Sequence, residues 1–249
     1  MDGKKKEQIV LRTMQKIQER CYPLLVGYSG SIAYGTNLPG SDIDIRGIFL
    51  NPPEEWIGLQ EDSEQIRLDD SDTVVYSLKK AMNLLLACNP NMIEILGLRP
   101  EHILFCSSEG KSILDNSNVF LSRKAIFTFN GYAVKQRRRV AALVEERNTS
   151  QKGISKDMMH LIRLYAMGIE LLETSRVVTY REKEHDLLMK IRGGEYWDKK
   201  RKAPSWEYER LLEDYMGAFN NAALRTRLPA EPNREAANEL TMEIVRHYL

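Results

Sequence analysis

Cysteine is scarce in this 249-residue chain: Cys21, Cys88 and Cys106 are scattered, with no C-x-x-C pair. An odd, unpatterned set argues against a disulfide scaffold or a cysteine-based zinc site and suits a reducing compartment. Long apolar runs are missing as well, none approaching the roughly 18 residues that a membrane span needs. The opening MDGKKKEQ has no apolar stretch of the signal-peptide kind. Nor is there an excess of either charge, since 36 Lys and Arg stand against 35 Asp and Glu. Any grip on nucleic acid must therefore come from a local patch rather than bulk charge. Repeats and low-complexity tracts are absent, and the one short basic run is KKRK at 199–202. These absences predict a soluble cytoplasmic protein without membrane contact, large enough for one big domain or two smaller ones.

What is present falls into two halves. Val10, Met14, Ile17 and Cys21 recur at helical spacing, predicting an amphipathic helix over 5–20. Pro23 leads into a short apolar strand, 24–28, and the alternation from Asp42 to Leu50 predicts a second strand. NPPEEW (51–56) reads as a loop, because its two prolines cannot join a central strand. Strands at 66–68 and 73–77 flank DDSD (69–72) as a hairpin. Leu78, Met82 and Leu85 then give a helical face that stops near Asn89-Pro90. A helix at 91–97 and a strand at 102–106 complete a mixed α/β half. After about residue 118 the pattern is helical, at 119–147, 155–173, 182–192, 205–223 and 233–248, with NTSQKG (148–153) and Gly193-Gly194 as loops. The expected organisation is an α/β domain, 1–118, followed by an all-helical domain, 119–249.

The chemistry concentrates in GYSGSIAYGTNLPGSDIDIRGIFL, residues 27–50. In a strand, residues two apart share a face, so Asp42, Asp44 and Arg46 lie on one side and Ile43 and Ile45 point into the core. The two aspartates are then about 6–7 Å apart at Cα, near enough to share a divalent cation. Burying carboxylates without positive charge is costly, and a few hard oxygen ligands suit Mg²⁺. Upstream, Gly30-Ser31 follows the first strand. Backbone N–H groups at a helix start, with the Ser31 hydroxyl, can hold phosphate oxygens, and glycine permits close approach. A phosphate cradle beside a two-carboxylate metal site is the equipment of nucleotidyl transfer. An isolated D-x-D commonly has a plainer reading, with Asp42 a turn residue after Ser41 and Asp44 paired to Arg46 on a solvated strand face; strand, Gly-Ser, ten residues and Asp-Ile-Asp-Ile together are far more specific.

That combination resembles the DNA polymerase β-like nucleotidyltransferase superfamily. The segments GSIAYGTNLPGSDIDIRGIF (30–49), DTVVYSLKKAMNLLLACNPNMIEIL (72–96), VFLSRKAIFTFNGYAVKQ (119–136) and DMMHLIRLYAMGIELLETSRV (157–177) resemble one branch of it, the nucleotidyltransferases of RNA-ligase-associated repair systems in bacteria and phages. The resemblance implies a polymerase β-like palm with a mixed sheet, and a helical domain closing over its cleft. It also implies a third carboxylate on a neighbouring strand. Asp72, which begins the strand 73–77, is the choice, with Asp70 two residues earlier on the same face. Two Mg²⁺ (or Mn²⁺) ions and an NTP are the implied cofactor and substrate, and an RNA 3′ end the implied acceptor.

Other residues carry weaker signals. Glu94 in NPNMIEIL is a further acid near the cleft, or else a helix-surface acid holding Lys80 or an arginine. Arg46 and Lys80 are candidates for orienting carboxylates or phosphates. Tyr132, Lys135, Gln136 and Arg139 fall on one helical face beside Arg137 and Arg138, fit for a triphosphate or an RNA backbone, or simply solvated. In the resembling branch the segment holding His160 and Arg163 faces the cleft, which puts Arg163 on phosphate and leaves His160 to bond substrate or to serve structure. KKRK, with Trp197 and Trp206 near it, suits a nucleic-acid-facing loop or plain solubility, and Met158, Met159, Met167 and Met189 are core filler. The expected activity is transfer of an NMP from an NTP to a hydroxyl with loss of pyrophosphate. The rivals are nucleotidylation of a protein or small molecule, and a non-catalytic nucleotide- or RNA-binding module.

Overall fold

Alternating apolar residues and short turns build the first half of the chain into one sheet. The structure is a computed structural model, and it describes residues 3–56, 59, 63–68, 72–146 and 149–248. In chain order come α1 (Gly3–Gln18), β1 (Tyr22–Tyr28), a single turn α2 (Gly30–Ala33), β2 (Asp44–Leu50), α3 (Pro53–Trp56), β3 (Gln65–Leu68) and β4 (Asp72–Ser77). Then follow α4 (Leu78–Leu86), α5 (Pro90–Ile93), β5 (Ile103–Cys106) and α6 (Ser108–Asp115). The strands pair in the order β3-β4-β2-β1-β5. β2 and β4 run parallel and every other neighbouring pair antiparallel, so the sheet is mixed.

The two faces of β2 explain where a cleft opens. Ile43, Ile45 and Phe49 pack with Ile17 of α1 and with Val26 and Val75. On the opposite face Ile48 and Leu50 lie under Leu78, Met82 and Leu85 of α4. Asp44 and Arg46 share that second face but lie nearer the start of the strand, and both are only half-buried. Replacing Phe49 by Ala would cost about 3–5 kcal/mol, the usual range for such a core truncation.

The second half holds α7 (Lys124–Glu146), α8 (Gln151–Thr174), α9 (His185–Gly193), a small hairpin of β6 (Trp197–Asp198) and β7 (Ala203–Pro204), α10 (Trp206–Arg225) and α11 (Arg234–Arg246). The central member is α8, which α7, α9 and α10 surround. The halves are stitched together. Ala33 and Tyr34 of the first half pack among Phe129, Leu161, Leu164 and Phe219, and α11 returns so that Ala237, Leu240 and Ile244 join the α4 core.

Several local expectations change. NPPEEW contains α3, because Pro53 suits a first helical position and Glu54 and Glu55 favour the helix start. NTSQKG is half helix: the Ser150 side chain caps α8 by accepting from Gly153 N–H, and drawing QKG into the helix. Ser107 caps α6 in the same way, a helix that the sequence did not announce. The helix expected at 91–97 divides into α5 and a 3₁₀ turn, Glu94–Gly97.

Candidate active site

At the start of β2 the Ser29 N–H donates to the Asp44 carbonyl (2.8 Å), extending the ladder with β1. Asp44 stands opposite Asp72 in the parallel register of β2 and β4. Asp42 does not belong to the strand as expected. Among the described residues no strand partner faces position 42, since β1 ends at Tyr28 and the described part of β4 begins at Asp72, and Asp42 lies exposed in the irregular stretch before β2. Asp42, Asp44 and Asp72 all line one cleft of about 780 Å³. Arg46 sits among them, its Nη1 donating to the Asp72 carbonyl (3.0 Å) and standing 3.9 Å from Oδ1 of Asp72. Asp70 lies outside the described residues.

Burial pushes the Asp44 carboxyl up to about 6, with the charges of Asp72 and Asp42 adding to the rise and Arg46 and Lys156 opposing it. The acids are thus within electrostatic reach of one another and incompletely neutralised, a set of hard oxygen donors that fits Mg²⁺ or Mn²⁺. Among the described residues no three His, Cys, Asp or Glu side chains form a ready-made metal cage.

Gly30 owes its identity to Asp44. Its φ is +56°, a left-handed conformation, and a Cβ built on it would collide with the Asp44 carboxylate. The close neighbour is a side chain on the next strand, which adds a cause to the phosphate approach expected from sequence. The helix opened there is a single turn, α2, so Gly30 and Ser31 offer backbone N–H groups without a long helix behind them.

Glu94 is buried and lines the cleft. It accepts from the Ser29 hydroxyl and from the Tyr34 phenol (2.6 Å to Oε2), and Lys80 is engaged elsewhere, with Glu64 at 2.9 Å. Burial and the Glu94 charge push the Tyr34 phenol far up, so Tyr34 keeps its proton and stays the donor. The ring of Tyr34 carries the Arg163 guanidinium 3.4 Å above its centroid. Arg163 is only 6% exposed, and its Nε is buried without a hydrogen-bond partner among the described residues. Its Nη2 lies 3.2 Å from the ring nitrogens of His160. Arg163, burial and then Lys156 hold His160 well below the usual histidine pKa, so it is neutral and offers an acceptor.

The cleft therefore has a second wall, cationic, on α8. Lys152, Lys156, His160 and Arg163 face it, spaced i, i+4, i+8 and i+11 along one helix side. Lys152 and Lys156 were not singled out in the sequence, although that spacing was there to be read. Arg192 of α9, also unforeseen, lines the cleft and donates to the Thr36 carbonyl (2.5 Å) and to Ser41 Oγ (3.4 Å), clasping the spacer between Gly-Ser and Asp-Ile-Asp. The basic face of α7 is directed elsewhere. Arg139 pairs with Asp157 (3.0 Å), Gln136 donates to the same carboxylate (3.1 Å) and Asn89 donates to the Tyr132 hydroxyl (3.0 Å). Lys135 is exposed, and neither it, Arg139 nor Lys80 lines the cleft.

A mixed sheet presenting acids from two parallel strands, faced by a helical region, defines a nucleotidyltransferase fold of the polymerase β kind. The sequence profile of the RNA repair pathway DNA polymerase beta family (RlaP) matches residues 7–242, and the chain belongs to that family. A crystal structure of a nucleotidyltransferase-like protein from Exiguobacterium sibiricum 255-15 aligns at 11% identity with a TM-score of 0.31, covering 97% of this chain and 80% of that one. No curated protein matches. Among the described residues no helix is long and apolar enough to cross a membrane.

Proposed function

We propose that the cleft transfers an NMP from an NTP to an acceptor hydroxyl, with Asp42, Asp44 and Asp72 holding divalent metal and residues 1–118 supplying the catalytic sheet under the helices of 119–249. The observation that carries this is the Asp44–Asp72 pairing across parallel strands, beside a glycine whose missing Cβ makes room for Asp44. Bound there, Mg²⁺ would neutralise the phosphates and the developing charge. Gly30 and Ser31 offer backbone N–H groups and a hydroxyl to the triphosphate, and Arg163 offers an Nε that has no partner among the described residues. The acceptor oxygen forms a bond to the α-phosphorus as the bond from that phosphorus to the bridging oxygen breaks. The hydroxyl proton passes to Asp72, the most exposed of the paired acids, and pyrophosphate leaves. Glu94 positions rather than reacts: by fixing Ser29 and Tyr34 it sets both the Gly-Ser turn and the shelf under Arg163.

The test incubates the protein with Mg²⁺, each α-labelled NTP in turn, and RNA or protein acceptors. Label entering RNA, and lost in Asp44→Asn, supports the reading with an RNA acceptor. Label entering protein moves the acceptor to another class, and no metal-dependent label with any acceptor overturns the reading.

A further inference from the structure

The cationic wall is longer than a triphosphate needs. From Lys152 to Arg163 the helix advances eleven steps, about 16 Å at the helix rise, whereas a triphosphate is three linked phosphoryl groups and spans far less. The inner end, Arg163, is tied to Tyr34 and through it to Glu94 and Ser29, beside Gly30. Lys156 lies within electrostatic reach of Asp44. Lys152 lies a turn beyond it towards the start of α8, and neither lysine makes an ion pair among the described residues.

Positive charge continues beyond that helix end. Gly194, which ends α9 with φ +90°, sits so close that a Cβ would meet Gln151 Nε2 at 2.7 Å. The β6–β7 hairpin follows three residues later, with KKRK at its tip. The tip is shaped, not loose: the Asp198 carboxylate accepts from the N–H groups of Lys200 (2.8 Å) and Arg201 (3.0 Å), and Lys202 takes a left-handed φ of +52°. Arg201 is committed to the Trp206 ring, 4.1 Å from its centroid, and to Glu209 at 3.2 Å. Lys199, Lys200 and Lys202 remain exposed without an ion pair among the described residues. In a chain of net charge +1, two lysines inside the cleft and three on the hairpin that follows the Gly194–Gln151 contact, none ion-paired among the described residues, are a local concentration.

We propose that Lys156, Lys152 and the hairpin lysines Lys199, Lys200 and Lys202 form a track for the phosphodiester backbone of a single-stranded RNA, delivering its end to the carboxylates. This rests on the nucleotidyl-transfer reading and names its acceptor. A run of lysines suits a repeating anion, since each is a point charge without the fork that fixes arginine on one group. A small hydroxylated acceptor would have nothing to place along it.

The experiment needs no turnover. Binding of a fluorescent single-stranded RNA to the full chain is followed from 50 to 400 mM salt, and a non-hydrolysable NTP is titrated into the same protein. In Lys199→Gln/Lys200→Gln/Lys202→Gln the log–log salt slope should flatten by about two units, at roughly 0.7 per lost contact, and low-salt affinity should fall about tenfold or more. NTP affinity should be unchanged. Lys152→Gln, with its fold checked by circular dichroism, should lower the slope by a further fraction of a unit to about one unit on the same counterion argument. A wild-type slope in the triple variant, or wild-type RNA binding that ignores salt, overturns the track. RNA binding with the expected slope but no NTP binding would sustain the track and sink the nucleotidyl-transfer reading instead.

Discussion

The two walls of the cleft are built differently. The acidic wall comes from strand starts, with Asp44 set by the β1 and β4 ladders and Gly30 fitted against its carboxylate. The cationic wall is one side of a single helix, and only its inner end is braced, where Arg163 lies on Tyr34 and against His160. A wall fixed by backbone pairing tolerates almost no change, whereas one made of long side chains should lose function in increments. That contrast can be broken by experiment.

The largest effect should come from Asp44→Asn, which should cut nucleotidyl transfer by about 10²–10³-fold or more, the scale for removing one preorganised electrostatic group. Single-turnover assays at saturating Mg²⁺ and NTP measure it, and near-wild-type rates would mean that Asp44 is not a metal ligand. Gly30→Ala should come next, since it forces a left-handed residue and displaces Asp44 together. Both the rate and the melting temperature should fall, the latter by roughly 2–12 °C for a strain of about 1–3 kcal/mol. A stable, active Gly30→Ala would show that Asp44 has room to move.

The same aspartate gives a pH signature of opposite sign. Its folded pKa, about 6, lies above the ordinary carboxyl value. The protonated form therefore stabilises the fold below about pH 4, and that contribution is lost as pH rises through 6. In metal-free protein, Asp44→Asn should melt at the wild-type temperature near pH 4 and roughly 2–5 °C above it at pH 7. Mg²⁺ should raise only the wild type. A melting difference that is the same at both pH values would remove the claim that the acids repel one another.

Much of the acidic wall was legible because its signal is local. Period-two alternation, a Gly-Ser pair and two aspartates lie within 24 residues, and a short motif survives being read one residue at a time. Even there the strand was begun too early, since nothing in the sequence shows where its partners stop. The cationic wall was harder because its identity depends on which side of α8 faces the sheet, which only packing decides. Lys135 and Arg139 on α7 have the same charge and spacing as Lys152 and Lys156 on α8, yet the α7 face turns towards Asp157 and solvent. Arg192 was out of reach altogether, because it meets Thr36 across 156 positions of sequence.

On the cationic side, Arg163→Ala should weaken NTP binding by about 10–100-fold, corresponding to one or two charge-assisted hydrogen bonds. Tyr34→Phe keeps the ring beneath Arg163 and removes only the hydroxyl from Glu94. It should cost about 1–3 kcal/mol of stability for the buried carboxylate oxygen left short of a donor, with a smaller change in NTP affinity. Calorimetric titration and thermal melts separate the two, and an unchanged NTP affinity in Arg163→Ala would take the triphosphate away from α8.

The smallest effects sharpen the comparison most. Lys80→Ala and Arg139→Ala each remove a cation that sequence reasoning placed at the substrate. Lys80 is spent on the exposed Glu64, and Arg139 is 65% exposed beside Asp157. Surface pairs of this kind contribute about 0–1 kcal/mol, and Asp157 would still hold Gln136 after Arg139 is gone. Each variant should therefore keep NTP affinity and transfer rate within about twofold, below half a kcal/mol. Lys156→Ala, equal in charge to Arg139→Ala and on the neighbouring helix, removes a cation that faces Asp44 and should lower the transfer rate by more than either. If Arg139→Ala is the damaging change and Lys156→Ala the silent one, the cationic wall belongs to α7, and the assignment of α8 to the cleft chemistry is wrong.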